Sequence, residues 1–208
     1  MVWVKICGVT SVEDAVLVAD AGADALGLNF VADSPRRLSI EIARRISATL
    51  RGRLELVGVV ADMPKRELVE LRVTVGLDTL QLHGSEPPEL LSAFLPAAYK
   101  AVRVASATDV ESADAYGGDR VLVDAKVGGK LGGTGQRFDW KLARELVRKR
   151  SVVVAGGLDP HNIAGLIEEL APYGVDVASG VEPEGKPGHK DAEHVATFIA
   201  RARAAAGS

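Results

Sequence analysis

Short apolar runs alternate with amphipathic segments along the whole chain. Eight runs rich in Val, Leu and Ala predict strands near residues 2–7, 24–30, 54–60, 78–83, 98–104, 120–125, 151–155 and 174–178. Apolar residues then recur at helical spacing, which predicts helices near 12–21, 40–50, 65–72, 88–95, 108–115, 139–149, 161–171 and 190–204. Eight strand–helix units indicate the α/β class and a (βα)8 TIM barrel. A doubly wound open sheet competes, but usually stops at about five or six strands.

Length and helix-start residues agree with the barrel. The chain has 208 residues, close to the roughly 200-residue lower limit of this fold, so we expect a single compact domain over residues 1–208. Ser11 with Asp14 resembles a capping box, and Ser39 precedes the second helix. Asp159 followed by Pro160 is typical of an N-cap and first helical residue.

Strand parity assigns side chains to the two faces, because alternate residues of a strand point to opposite sides. In the first strand, Lys5 and Cys7 are predicted to face the barrel interior. The same alternation turns Asp124 inward on the sixth strand and Asp176 inward on the eighth. Cys7 and Asp124 should therefore meet near the upper rim. Lys5 and Asp176 should face each other one layer below.

Composition narrows the classes of function. The net charge is −3 with both signs interspersed, which argues against a nucleic-acid surface. No apolar stretch approaches the ~20 residues of a membrane helix, and Met1 leads directly into a strand without a signal-peptide pattern. A single cysteine excludes an internal disulfide and a CxxC metal site, and the histidines lack ligand spacing, so we expect no metal. We expect a cytoplasmic protein.

Cys7 and Asp124 form a candidate acid–base pair. A thiol titrates near pH ~8.5, and the N-terminus of the first helix is expected to lower that value. A carboxyl group at an apolar rim can have a raised pKa and stay protonated. One group would then abstract a proton and the other donate one. The alternative is an inert buried cysteine and a carboxylate bound to a loop amide.

Glycine turns after the last two strands favour phosphate binding. Gly156 and Gly157 follow the seventh strand, and Ser179 and Gly180 follow the eighth. The loops after these two strands are the usual phosphate site of such barrels, where backbone amides approach the phosphate oxygens. The alternative is that these glycines only permit tight turns.

Two further segments carry open interpretations. Arg36 and Arg37 follow Pro35. One of them could bind a carboxylate through bidentate hydrogen bonds, although a solvated basic pair is commoner. Residues 126–135 hold five glycines without a P-loop triplet and are either a flap over the rim or a plain loop. His83 is interpreted as a packed or hydrogen-bonded rim residue rather than a base.

Seven motifs, in order along nearly the whole chain, resemble the phosphoribosylanthranilate isomerase family. They are Lys5-Ile6-Cys7-Gly8, Ser34-Pro35-Arg36, Gln81-Leu82-His83-Gly84, Val123-Asp124 with Gly132-Gly133-Thr134-Gly135, Phe138-Asp139-Trp140, Ala155-Gly156-Gly157-Leu158, and Val175-Asp176-Val177-Ala178-Ser179-Gly180-Val181-Glu182 with Gly188-His189-Lys190-Asp191. Each motif alone is weak, but their order and spacing together are specific.

The resemblance implies a cofactor-free Amadori rearrangement in tryptophan biosynthesis. It would convert N-(5-phosphoribosyl)anthranilate to 1-(2-carboxyphenylamino)-1-deoxyribulose 5-phosphate. The resemblance implies Cys7 as general base, Asp124 as general acid and Arg36 as the partner of the anthranilate carboxylate. The implied phosphate-binding residues are Gly156, Gly157, Ser179 and Gly180.

Three other functions are weighed against this one. A metal-dependent pentose-phosphate epimerase would need His and Asp ligands at several strand ends. An aminoimidazole-carboxamide ribotide isomerase performs the same chemistry but is expected to carry aspartate in place of Cys7. A non-catalytic phosphate-binding barrel would not need an acid–base pair. The expected partner is a small phosphorylated substrate, with no nucleic acid or membrane, and the expected assembly is a monomer or homodimer.

Overall fold

Eight parallel strands close into a barrel in this computed structural model, which describes residues 1–104, 106–124 and 143–207. The strands are β1 Trp3–Cys7, β2 Ala25–Asn29, β3 Glu55–Val60, β4 Thr79–Leu82, β5 Ala98–Arg103, β6 Arg120–Asp124, β7 Ser151–Ala155 and β8 Gly174–Val177. Each strand pairs with the next one in sequence, and β8 pairs with β1. The (βα)8 barrel is confirmed, and the open sheet is wrong.

A helix follows each strand. The helices are α1 Val12–Asp20, α2 Ile40–Leu50, α3 Lys65–Val75, α4 Pro88–Ser92, α5 Ala107–Ser112, α6 Arg144–Lys149, α7 Ile163–Leu170 and α8 Ala192–Ala206. Short 3-10 turns occupy Ala113–Ala115 and Ser179–Val181. The predicted first turn of the sixth helix, 139–142, lies outside the described residues.

The strand predictions agree with the structure to within one residue at each end, except that residue 125 lies outside the described residues. Larger differences occur at helix ends. α5 ends at Ser112 rather than 115, where a 3-10 turn follows, and α7 and α8 start two residues later than predicted. α3 continues past residue 72 to Val75, because Leu71 and Val75 are buried and Gly76 supplies a left-handed C-cap at φ 78°. α4 ends at Ser92 rather than 95, and the chain turns before Pro96, which cannot extend a helix.

Side-chain caps start the helices largely as predicted. The Ser11 hydroxyl accepts a hydrogen bond from the Asp14 amide at 3.1 Å, and Ser39 caps α2 in the same way. Asp159 accepts from the amides of His161 and Asn162, so it begins a turn that leads into α7. The regular helix starts only at residue 163, two residues later than predicted.

Strand parity holds on every strand for which faces were predicted. Outward side chains of β1, β6 and β8, together with Val2 just before β1, belong to the large core between barrel and helices. Those on the strands are Val4, Ile6, Val121, Val123, Val175 and Val177. A smaller cluster fills the interior and consists of Ala25, Val57, Tyr99, Ala101, Leu122, Val153 and Ala155, with Trp3 against it. The barrel is therefore a packed core, and inward polar residues above this cluster are placed at the carboxyl ends of the strands.

Candidate active site

One cavity of about 470 Å³ lies at the carboxyl ends of the strands. Six of the seven predicted site residues line it; these are Cys7, Arg36, Asp124, Gly156, Gly157 and Ser179. They come from β1, β6 and the segments after β2, β7 and β8, so residues far apart in sequence share one space. Gly180 is absent from the lining.

Two glycines make room around Cys7. Gly27 on β2 is the Cα partner of Cys7, and a Cβ added to it would lie 2.7 Å from the Cys7 sulfur. Gly8 has φ 73°, and a Cβ there would collide with the Arg36 side chain. The glycine after the first strand therefore allows Arg36 to lie beside the thiol.

Burial raises the pKa of the Cys7 thiol above its usual value. The positive charge of Lys5 is the largest influence in the opposite direction, and the negative charge of Asp176 adds to the increase in pKa. The pKa of this thiol is therefore raised overall, and a lowering influence of the α1 N-terminus stays a prediction. The physical reason for the overall increase is that desolvation outweighs the nearby positive charges.

Asp124 lies against His83 at the end of β4. The His83 Nε2 atom is 3.5 Å from Asp124 Oδ2. On its other side, His83 Nδ1 is 2.9 Å from the amide nitrogen of Gln81, whose oxygen accepts from the Tyr99 hydroxyl at 2.9 Å. The Gln81 amide thus donates to Nδ1, and a neutral imidazole carries its proton on Nε2, toward Asp124.

Lys5 and Asp176 form a buried ion pair below Cys7. The Lys5 ammonium is 2.9 Å from Asp176 Oδ1, and their side chains are 0% and 7% exposed. The two residues are Cα partners across the β1–β8 seam. The predicted contact between Lys5 and Asp176 is confirmed, and so is the order of strands that closes the barrel.

Arg36 belongs to a charged cluster with Glu182 and Lys190. Its Nε and Nη2 atoms donate to the two Glu182 oxygens at 2.8 and 2.5 Å. The buried Lys190 ammonium donates to Glu182 at 2.7 Å and to the Ala178 carbonyl at 3.3 Å. Two cations surround one carboxylate, so the cluster carries a net positive charge beside the cavity.

Arg37 occupies a different position from its neighbour. Its side chain is exposed, and it lines a separate hollow with Phe30 and Leu38 rather than the cavity that holds Cys7. Asn29, at the end of β2, lines the cavity and accepts a hydrogen bond from the Val31 amide at 2.8 Å. Asn29 therefore orders the start of the loop that carries Arg36.

The glycine turns after β7 and β8 lie side by side at the rim. Gly156 and Gly157 have φ values of 95° and 67°, which a side-chain-bearing residue rarely adopts. The 3-10 turn after β8 begins at Ser179, and the first amides of such a turn have no partner within it. Gly180 packs against the β7 loop, where a Cβ would collide with the Leu158 carbonyl.

Sequence reasoning gave no role to two residues of the site. Glu182 and Lys190 lie in a quoted motif, but nothing in their spacing showed that they enclose Arg36. His83 was interpreted as a packed or hydrogen-bonded rim residue, and its hydrogen bond with Gln81 at the rim agrees with that interpretation. The glycine-rich segment 126–135 and the motifs at 132–135 and 138–140 lie outside the described residues.

The described part of the chain holds neither a membrane-spanning helix nor a cluster of metal-binding side chains. None of its helices has the length and apolar character needed to span a bilayer. Nor do its His, Cys, Asp and Glu side chains form a group of three or more that could hold a metal ion. Independence from metal remains a prediction.

The fold and the cavity define a class of protein. The (βα)8 barrel carries a thiol and a carboxyl group at the carboxyl ends of its strands, and a cationic cluster and glycine turns lie beside them. This arrangement is typical of enzymes that perform acid–base chemistry on small anionic substrates.

Similarity to known proteins specifies the family within that class. The family model described as N-(5'phosphoribosyl)anthranilate (PRA) isomerase matches residues 4–201. A relative from Rubrobacter xylanophilus, named N-(5'-phosphoribosyl)anthranilate isomerase, is 44% identical over an alignment of 207 residues. The match covers 98% of this chain and 100% of the relative. The chain belongs to the N-(5'-phosphoribosyl)anthranilate isomerase family.

Solved structures of the family agree with this fold. Phosphoribosyl anthranilate isomerase from Thermotoga maritima superposes with a TM-score of 0.89 at 38% identity, covering 98% of this chain and 100% of that one. A second structure, of the isomerase in complex with reduced 1-(o-carboxyphenylamino)-1-deoxyribulose 5-phosphate, has a TM-score of 0.86 at 36% identity, with coverage of 98% and 100%.

Proposed function

We propose that this chain converts N-(5'-phosphoribosyl)anthranilate to 1-(2-carboxyphenylamino)-1-deoxyribulose 5-phosphate, with Asp124 as general acid and Cys7 as general base. The observation that carries the assignment is the shared cavity, in which both side chains and the glycine turns of β7 and β8 face one space. Family membership supplies the substrate and the reaction.

Ring opening is the step assigned to Asp124. The protonated carboxyl group donates its proton to the furanose ring oxygen, and the bond from that oxygen to C1 breaks. The lone pair of the anthranilate nitrogen forms the C=N bond of a Schiff base, so the electrons balance. His83 presents its Nε2 proton to the Asp124 carboxylate and so stabilises the charge left by that transfer.

Proton abstraction is the step assigned to Cys7. The thiolate removes the proton from C2, and the electron pair of the C–H bond forms a C1=C2 double bond while the Schiff-base nitrogen regains its lone pair. The resulting enolamine tautomerises to the ketone, with a proton returning to C1. General-base catalysis of this kind contributes about 10²–10⁴-fold to the rate.

Arg36 is proposed to bind the anthranilate carboxylate. The guanidinium has five N–H donors, and the Glu182 pair uses two nitrogen atoms, Nε and Nη2, so Nη1 takes no part in it. Glu182 fixes the plane of the guanidinium, and Lys190 offsets the charge of Glu182. A positioned arginine of this type recognises a carboxylate with directional hydrogen bonds.

The phosphate is proposed to lie at the turns after β7 and β8. Gly156 and Gly157 have positive φ values that leave this turn free of side chains, and Ser179 starts a 3-10 turn beside them, so backbone amides can approach the phosphate. Direct binding by Gly180 remains a prediction, because its observed contact is with the β7 loop.

Turnover of the named substrate tests the proposal. Purified protein with chelator present should consume phosphoribosylanthranilate, which is followed by loss of the substrate's fluorescence, and the product should be identified by mass and chromatography. Asp124→Asn is the matched variant, because the amide preserves shape but cannot donate the proton. No turnover by the unchanged protein, or full turnover by Asp124→Asn with chemistry rate-limiting, would contradict the assignment.

Location and assembly are proposed separately. We infer a cytoplasmic enzyme, since its proposed substrate is a phosphorylated metabolite, and an assembly no larger than a homodimer. Light scattering after size-exclusion chromatography measures the second property directly. A species larger than two chains would contradict it.

A further inference from the structure

Lys5 is a buried cation that the proposed reaction does not use. Its side chain is fully buried, and its ammonium lies 2.9 Å from Asp176 Oδ1. A buried ion pair is weak evidence for a stability role, since well-packed apolar residues in its place are often equally stable. The position of Lys5 in the barrel points to a different use.

Lys5 and Cys7 lie close together on the inward face of β1. They are two residues apart on one strand, so both side chains point into the barrel. Gly27 of β2 faces them, and the position of a Cβ on Gly27 would be 2.7 Å from the Cys7 sulfur and 3.0 Å from the Lys5 ammonium. The Cys7 sulfur and the Lys5 ammonium therefore both border the space that a side chain at Gly27 would fill.

We propose that Lys5 is a positioning residue for catalysis: its ammonium, anchored by Asp176, stabilises the thiolate form of Cys7. Lys5 does not touch the reacting atoms and acts through the sulfur. Asp176 holds the ammonium in place below the thiol, and Gly27 keeps the space between them open. The inference rests on the proposed function, because it gives Cys7 the role of base.

The charges around Cys7 agree with this geometry. The charged groups that act on it include Lys5, Arg36, Asp176 and Lys190, and the titratable Tyr99 also interacts with it. Burial raises the pKa of the thiol, and Lys5 is the strongest opposing influence, ahead of Lys190. The influence of Lys5 also exceeds that of Asp176, which raises the pKa. Removing the Lys5 charge should therefore make thiolate formation harder.

Alkylation of Cys7 measures this effect without any substrate. Cys7 is the chain's sole cysteine, so the rate of iodoacetamide addition, followed by intact mass against pH, reports the thiolate of this residue alone. Lys5→Met should move the midpoint upward by about one pH unit, which is a tenfold fall in rate at neutral pH. The ascending limb of kcat/KM against pH should move the same way.

Three further variants separate charge from folding. Lys5→Arg keeps the charge and should restore part of the alkylation rate. The double variant Lys5→Met with Asp176→Leu removes both buried charges, and its midpoint should fall between those of Lys5→Met and the unchanged protein. Lys100→Met is the matched control: Lys100 is also buried and paired, with Glu86 at 2.8 Å, and should leave the midpoint unchanged.

The alkylation midpoints of these variants test the proposed role of Lys5. An unchanged alkylation midpoint in folded Lys5→Met, or in the double variant, would overturn the inference. So would an equal shift in Lys100→Met, because the effect would then follow from loss of any buried lysine. Absence of turnover in the unchanged protein contradicts the proposed function instead and leaves the alkylation result readable.

Discussion

At the scale of single residues, the site depends on the environment of a few side chains more than on their identity. Cys7 is an ordinary thiol. Burial raises its pKa, and the positive charge of Lys5 lowers it by a smaller amount. Arg36 is oriented by Glu182, and His83 is oriented by Gln81 before it reaches Asp124. Each reacting or binding group is therefore held by a neighbour that does not itself react.

Replacement of Cys7 by serine tests the base directly. Cys7→Ser should lower kcat by about 10²–10⁴-fold, because a serine hydroxyl does not ionise at neutral pH. Binding of the product should stay close to normal, since the change removes no ligand contact that the proposal assigns. Steady-state kinetics and product binding by calorimetry measure the two effects, and a variant that keeps more than roughly a third of kcat would remove Cys7 from this role.

The adjacent arginines offer a matched pair of variants. Arg36→Met should raise KM for phosphoribosylanthranilate at least about tenfold, since a hydrogen bond to a charged group is worth roughly 1.5–3 kcal/mol. Arg37→Met should have little effect, because Arg37 is exposed outside the cavity. Initial rates over a range of substrate concentrations give KM for both variants. A larger increase in Arg37→Met than in Arg36→Met would assign carboxylate binding to Arg37 instead.

At the scale of elements, the barrel is closed by the pairing of β1 with β8, and the site sits across that seam. The Lys5–Asp176 ion pair joins the two strands from inside. The Arg36–Glu182 pair joins the loop after β2 to the loop after β8 from above. Two ion pairs, one above the other, therefore link the β1–β2 side of the barrel to β8 and its loop. The proposed base Cys7 lies on β1, and the proposed phosphate turns follow β7 and β8.

Loss of one partner at the seam should be costly for stability. Lys5→Met leaves Asp176 buried without its partner and should lower the free energy of unfolding by roughly 3–5 kcal/mol. The double variant Lys5→Met with Asp176→Leu should recover part of that loss, because no charge is then left unpaired. Urea unfolding measures both, and a single variant as stable as the unchanged protein contradicts the expectation.

The upper ion pair predicts a dependence of stability on pH. Burial raises the pKa of Glu182, but hydrogen bonds from Arg36 and Lys190 outweigh it, so the pKa lies below its usual value. A depressed folded-state pKa stabilises the protein above the ordinary carboxyl range near pH ~4.3, and this contribution is lost as pH falls through the folded value. Glu182→Gln should flatten that acid-side loss in urea melts at several pH values, and an unchanged slope would contradict the prediction.

At the scale of the whole molecule, closure makes every strand depend on two neighbours. β1 pairs with β2 on one side and β8 on the other, although it lies some 170 residues from β8 in sequence, as the Lys5–Asp176 separation of 171 shows. Removal of either end of the chain would leave open edges with unpaired backbone groups. We therefore propose that residues 1–208 act as a single domain.

Cooperative unfolding tests the single domain. Denaturant curves followed by far-UV circular dichroism and by intrinsic fluorescence should coincide, because no part of a closed barrel keeps its pairing when another part is lost. The slope of the transition should correspond to the surface exposed by the whole chain. Two well-separated transitions would divide the chain into independent units.

Much of the fold followed from local pattern. Short Val-, Leu- and Ala-rich runs end at turn residues, and the alternation of side chains along them predicts the inward faces of β1, β6 and β8. These signals are local because a strand repeats every two residues and a helix every 3.6. Helix ends were less predictable, as α3 and α4 show, since packing and caps decide the last turn.

The sequence alone determined which side chains point inward and at which strand ends, because backbone geometry dictates that alternation. Tertiary structure decided which of them touch. Glu182 lies 146 residues from Arg36, and no local rule relates their positions. The upward shift in the pKa of Cys7 likewise depends on the packed barrel, because desolvation is a property of the surroundings rather than of the residue. Contacts across the barrel and the dielectric around a group exist only once all eight strands are closed.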